Sequence, residues 1–206
     1  FLNRINEGMI PNRIDDAGNP EFNSVDASLW AFVATHEYLL ASRDEKFVLL
    51  EALPILERLF DSYKAGTRFR IKADADGLLM AGDATTQLTW MDAKVGEWVV
   101  TPRQGKPVEV QALWTRALQV GARLAAKFGE RGYAAGCQRD RMRAVTSFRT
   151  RFWYEDGRYL YDTIDGPEGD DASIRPNQVY AISLCDDLLT NEQATLVLRL
   201  VKEQLL

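Results

Sequence analysis

Two cysteines and one histidine in 206 residues are too few soft ligands for a structural zinc site. Cys137 and Cys185 lie far apart and form no CxxC pair, so reduced thiols and a cytoplasmic setting are expected. His36 has no serine or cysteine beside it in the pattern, which leaves a catalytic triad without support. Neither GxGxxG nor GxxxxGK[ST] occurs, so the common nucleotide cradles are missing. No uncharged apolar run approaches the roughly 20 residues of a membrane span. Positive charge is not in excess either: 25 Lys and Arg face 30 Asp and Glu, a formal net charge of -5. That balance argues against nucleic acid and anionic membranes as partners. The chain opens on Phe1, and FLNRINEGMIPNR has no basic segment followed by an apolar one, so it reads as a piece of a longer chain rather than a leader.

What is present suits a soluble globular chain: 46% hydrophobic and 27% charged residues, at a length for one domain or part of one. Helical spacing of apolar residues begins at Ser24, a candidate N-cap, and runs to about 41. A second helical stretch follows SRDE, carries Leu49, Leu53, Leu56, Phe60 and Tyr63 on one face, is kinked at Pro54 and stops at Gly66. A third spans Val108 to Arg131. A turn is expected over Gly132–Cys137, then a helix from Gln138 to about Arg151. Pro176 fits the first turn of a helix over 177–188, and Thr190 or Asn191 caps a last helix to the chain end.

The connections are unequal. Within each helical pair they are short, as in antiparallel hairpins, and between pairs they are long and rich in Trp, Asp, Arg and Gly. Asp76-Gly77 and Asp156-Gly157 predict β-hairpins inside the long ones. All long connectors then emerge on one face, where Asp26, Glu109 and Asn177 begin the first helix of each pair. Converging helix N-termini under polar loops make a ligand site. The pattern predicts an all-α chain, an α/α toroid of the six-hairpin barrel type. About half of the barrel is present, as three αα-hairpins with long connectors carrying short β-hairpins, so residues 1–206 form a single partial domain.

The stretch Gln87 to Trp114 sets three tryptophans beside Asp92, Glu97 and Arg103. Flat rings stack on the C–H faces of a sugar while charged groups bond its hydroxyls; an aromatic minicore under a loop explains the rings equally well on spacing alone. Asp92 follows Trp90 and Met91, an apolar setting that raises a carboxyl pKa as a proton donor requires, and a turn aspartate is the plain alternative. Asp26 and Trp30, four residues apart, project to one side of the first helix; a helix-start carboxylate is the plain alternative there. The DADG of residues 74–77 lacks the later ligands of a calcium loop and reads as a turn. The arginines of RDRMRAVTSFRTR read as a solvated helix face.

These stretches together resemble the C-terminal amylo-1,6-glucosidase domain of glycogen debranching enzymes. The matching segments are GMIPNRID (8–15), NSVDASLW (23–30), DGLLMAGD (76–83), QLTWMDA (87–93), VTPRQGKPVEVQALW (100–114) and SIRPNQVYAISL (173–184). The resemblance implies a glucoamylase-like, inverting hydrolysis by two carboxyl groups that removes α-1,6-linked glucose from branch points of glycogen or limit dextrin. No metal or organic cofactor is implied. By its place in QLTWMDA, Asp92 is the general acid. Asp26 would hold glucose hydroxyls, with Trp30 and Trp90 as walls and Arg103, Glu109, Arg175, Asn177 and Gln178 as further sugar contacts. The chain departs from the family in holding three hairpins where the fold needs six. The base is then expected beyond Leu206, Glu97 and Glu109 having motif positions that suggest binding or structure. Thr115-Arg116 and Ala31 are smaller departures. Exposed barrel edges predict self-association. A non-catalytic carbohydrate-binding or scaffold module, and a toroid glycosidase of another linkage, are the competing expectations.

Overall fold

Helix α4 (Val108–Lys127) is the axis around which the rest is built, with fifteen of its twenty residues buried. Such a helix has no solvent face to spare. It packs against α5 (Arg131–Arg151), α1 (Asp26–Ser42) and α3 (Leu53–Ala65). The computed structural model describes residues 2–83 and 85–206. Trp114 of α4 stands edge-on to Phe60 at 5.3 Å between ring centres and donates its indole N–H to the Gly77 carbonyl at 3.0 Å. Gly121 lets α3 come close: a Cβ there would lie 2.5 Å from the Phe60 ring.

Before α1 lies a ribbon of β1 (Arg13–Ile14) and β2 (Pro20–Glu21). Ser24 accepts the Ala27 N–H at 3.0 Å, so it satisfies a first-turn donor although the regular helix starts two residues later. A short α2 (Glu45–Phe47), capped by Asp44, runs through a π-helical turn at Val48–Ala52 into α3. The wide turn ends just ahead of Pro54, whose ring and missing N–H disfavour a regular α-turn there.

The connector after α3 holds two ribbons, β3 (Lys72–Ala73) with β4 (Leu79–Met80) and β5 (Lys94–Val95) with β6 (Trp98–Val99). Gly77, at φ +84°, closes the first. β7 (Lys106–Pro107) then joins β10 (Thr163–Gly166) and β11 (Gly169–Asp171) in a three-stranded sheet ordered β11-β10-β7. β8 (Trp153–Tyr154) and β9 (Tyr159–Leu160) make the ribbon expected around Asp156-Gly157. A 3-10 turn at Pro176–Val179, the short α6 (Tyr180–Ser183) and α7 (Asn191–Leu205) complete the chain.

Three expectations are corrected. The turn after α4 is at Phe128–Glu130, where Gly129 adopts φ +90°, and 132–137 is helix. The helix expected over 177–188 stops at Ser183. Arg141 grips both carboxylate oxygens of Asp187 at 2.7 and 2.8 Å and Arg149 bonds the Asp187 carbonyl at 2.8 Å, holding that segment against α5. The arginine run of α5 is therefore not simply a solvated face, since Arg151 also pairs with Asp76 and Asp165.

Candidate functional site

The three helix beginnings meet at one rim. Val25, just ahead of α1, donates its N–H to the Leu88 carbonyl at 2.8 Å, which ties the start of α1 to the loop leading into Asp92. Trp30 packs edge-on to Tyr180 of α6 at 6.2 Å. The indole N–H of Trp90 donates to Asn177 Oδ1 at 3.0 Å. Glu109, in the first turn of α4, is joined to the same cluster through Arg103.

At the centre is a carboxylate that sequence reading did not single out. Asp162 Oδ2 accepts from Arg103 Nε at 2.8 Å and from Arg175 at 2.7 Å. Its Oδ1 accepts from Arg103 at 3.0 Å and from the Asn177 amide at 2.8 Å. Asp162 sits in the bend between β9 and β10, where no strand periodicity marks it in the sequence; it is buried, and a buried carboxylate demands cationic partners.

Arg103 and Glu109 form a bidentate pair with side chains only 2% and 3% exposed. Burial opposes the Arg103 charge, but Glu109 and Asp162 outweigh it and hold the guanidinium above its ordinary value. Burial likewise pushes the Glu109 carboxyl up, against the pull of Arg103. The space beside Arg103, Thr89 and Met91 is about 10 Å³, room for a water at most. Asn177 and Gln178 are also buried, and Gln178 spends its amide on the Arg175 carbonyl and the Leu160 N–H. The polar groups of Arg103, Glu109, Asn177 and Gln178, expected as sugar contacts, are taken by protein partners. Arg175 is half-buried between Asp162 and Asp171.

Trp30, Trp90, Asp26 and Asp92 are the nominated residues that reach open space. Trp90 is 54% exposed although its indole N–H is anchored, so a ring face is free. Asp26 and Trp30 line an open groove of about 590 Å³ along α1 with Ser24, Ala27, Ala31, Ala34 and Tyr38. Burial pushes the Asp26 carboxyl above the usual range; a hydrogen bond from the Ser24 hydroxyl pulls the other way, and the nearby Asp92 charge adds to the rise. Asp92 itself is exposed, so the apolar enclosure expected around it is found at Asp26 instead. Glu97, at the tip of the β5–β6 ribbon, is fully exposed beside Lys94.

The DADG segment has a different use. The Lys106 ammonium, 2% exposed, lies 3.1 Å from Asp74, 2.9 Å from Asp76 and 2.8 Å from Asp165. A lysine occupies the place where a cation would sit in a calcium loop. Among the described residues no cluster of His, Cys, Asp and Glu could hold a metal ion, and no helix is long and apolar enough to cross a membrane. Cys137 and Cys185 are free and buried, and burial pushes both thiols up to about 12.

A family profile described as amylo-alpha-1,6-glucosidase matches residues 1–206. Among solved structures, the chain is similar to a GH78 family rhamnosidase of Bacillus sp. GL1, at 17% identity and a TM-score of 0.69 over 88% of this chain. It is also similar to a rhamnosidase from Klebsiella oxytoca with rhamnose bound, at 14% identity and a TM-score of 0.68 over 97% of this chain. These are α/α toroid proteins, and the likeness places this chain in that fold class. The chain spans 17% and 35% of the lengths of those two structures. Among curated proteins, none matches it by sequence.

Proposed function

Since the chain belongs to the amylo-alpha-1,6-glucosidase family along its whole length, we propose that it supplies the acid side of a glycoside hydrolase that removes α-1,6-linked glucose from branch points of glycogen or limit dextrin. In this reading the 206 residues form part of a toroid and other hairpins of the protein complete it. The observation that carries the proposal is the meeting of three polar helix beginnings at one rim, with two adjacent carboxyl groups and two free indole faces on the open side.

Trp30 and Trp90 offer flat surfaces to the C–H faces of a hexose. Asp26, with its charge disfavoured by burial, exchanges water for sugar hydroxyls at little further desolvation cost. Asp92 donates its proton to the bridging oxygen as the bond to the terminal glucose breaks. A second carboxylate, supplied from outside these residues, takes a proton from the attacking water on the opposite face. A separation of about 6.5–9.5 Å between the two leaves room for that water and inverts the anomeric centre. Arg103, Glu109, Arg175, Asn177 and Gln178 serve as the frame that holds this rim in place.

The test is Asp92→Asn in the intact enzyme. Turnover on a branched dextrin should fall by several orders of magnitude while glucan binding stays near normal. Near-normal turnover would refute the assignment of the acid. The likeness to rhamnosidases supports a second reading, a toroid glycosidase of another linkage. Release of a sugar other than glucose from a panel of oligosaccharides would favour it, and binding without release would favour a non-catalytic carbohydrate module.

A further inference from the structure

We propose that Asp162 is a positioning residue for the acid, fixing through Asn177 and Arg103 the three residues that lead into Asp92. The proposal rests on the assignment of Asp92 above and adds to it a residue whose only contacts are within the protein.

The chemistry of the relay is directional. A carboxylate only accepts hydrogen bonds and an indole N–H only donates, so the side chain between them must do both. Asn177 does: its amide N–H donates to Asp162 at 2.8 Å and its oxygen accepts from Trp90 at 3.0 Å. The negative charge of Asp162 thus decides which way the Asn177 amide points, and that orientation decides where the Trp90 ring is held. Arg103 and Arg175 in turn leave Asp162 no freedom, because three guanidinium bonds and the Asn177 amide fill both of its oxygens.

Each residue ahead of Asp92 is tied to this assembly. Arg103 donates to the Thr89 hydroxyl at 3.3 Å, and that hydroxyl accepts the Met91 N–H at 3.3 Å. The Asn177 amide also reaches the Met91 sulfur at 3.3 Å. Beyond Asp92 the next anchor is the Val100 N–H on the Ala93 carbonyl at 3.1 Å, and the ribbon between them is largely exposed. The acid therefore stands at the last point of a buried, fully bonded frame. A displacement of about 1 Å at such a position costs on the order of 100-fold in rate.

Asp162→Asn keeps the shape but gives the site a donor, so the Asn177 amide can turn and release the indole. Asn177→Ala leaves Asp162 paired with both arginines and cuts only the link to Trp90. Both variants are to be made in the intact enzyme labelled with 5-fluorotryptophan, with the Trp90 fluorine resonance assigned by Trp90→Phe. The expected result is a moved Trp90 resonance, kcat lower by roughly 10- to 100-fold and a smaller rise in KM from the displaced indole wall, with the far-ultraviolet circular dichroism unchanged. If Asp162→Asn fails to fold, Asn177→Ala decides the matter. An unmoved resonance in the folded variants overturns the proposal, as does an unchanged kcat or a loss that lies wholly in KM. The resonance needs no turnover, so it separates this proposal from the assignment of the acid, which fails on its own if Asp92→Asn keeps its activity.

Discussion

Asp26 is the carboxyl for which folding and ionisation are opposed. Burial raises its pKa above the reference value of 3.8. Between the unfolded value and the raised folded one, the native chain keeps a proton that the unfolded chain has released. Stability therefore falls as pH rises through that window, and the loss persists at neutral pH. Asp26→Asn keeps the shape and removes the charge, so it should unfold at higher urea than the parent chain at pH 7.5, with the advantage narrowing towards pH 4. A lower midpoint at pH 7.5 would show that the hydrogen bond from Ser24 outweighs burial. In the intact enzyme the same variant should lose turnover, the pairing of gained stability and lost activity that marks a residue kept for function. The sequence pointed to Asp26 and Trp30 through their four-residue spacing on a helix. It gave no comparable pointer to Asp162, because that carboxylate becomes important only when the bend between β9 and β10 brings it to Arg103, and a contact across 59 positions leaves no local pattern.

At the scale of elements, two close approaches hold the connectors to the helices. Lys106, the first residue of β7, is buried among Asp74 and Asp76 of the DADG turn and Asp165, with Arg151 beside Asp76 and Asp165. Burial works against its charge, yet the carboxylates hold it above its usual value. Asp76 is itself held below the usual range by Lys106 and the Leu78 N–H despite partial burial, and Asp165 by Arg151 and then Lys106. Lys106→Met leaves three carboxylates facing one guanidinium. Removing one partner of a buried pair costs about 3–5 kcal/mol, and partial hydration of these aspartates puts the expected loss near the lower end. Depressed carboxylates contribute above their unfolded pKa and stop contributing as pH falls through their folded values. The difference between the variant and its parent should then be full at pH 7 and shrink below about pH 4 in urea titrations. An equal deficit at both pH values would mean that lost packing, not charge, is responsible.

Gly121 is the second approach. An alanine gains about 1 kcal/mol of helix propensity there, while overpacking costs roughly 1–3 kcal/mol. The Phe60 ring it would strike is wedged between Phe32 at 4.2 Å and Trp114 at 5.3 Å, so it cannot yield cheaply. Gly121→Ala should be destabilised by about 1 kcal/mol and be partly rescued by Phe60→Leu; a more stable single variant would mean that α3 and α4 can separate. The long helices and both Asp-Gly hairpins were readable because their signals are local. The break after α4 was placed too late, since Gly132 and Gly136 look like a turn until Gly129 is seen to have closed the helix. The early end of α6 depends on Arg141 and Arg149, which lie more than thirty positions away on α5.

For the whole molecule the decisive feature is that α1 has two apolar faces and this chain covers one. Leu29, Phe32 and Leu39 are buried in the core. On the other side Ala27, Ala31 and Ala34 form a shallow track between Trp30 and Tyr38, open along the groove that starts at Asp26. Leu40, Leu49 and Leu50 are exposed nearby. A helix apolar all round is an interior helix, and small residues at that spacing let a neighbouring helix approach closely. The half-ring proposed above would leave such an edge, since a ring with three of six hairpins is open on two sides. Isolated, the 206-residue chain should sediment as a concentration-dependent mixture of monomer and oligomer, because an uncovered apolar strip of this extent is removed from water by association. Leu40→Lys with Leu50→Lys should return it to monomer without lowering its thermal midpoint, as both side chains are already more than half exposed. If further hairpins close the ring over this face, as proposed above, the same pair should instead cost stability in the intact protein. A chain that stays monomeric at all concentrations, or an intact enzyme indifferent to both lysines, would mean that this face of α1 is a solvent surface and that the ring closes elsewhere.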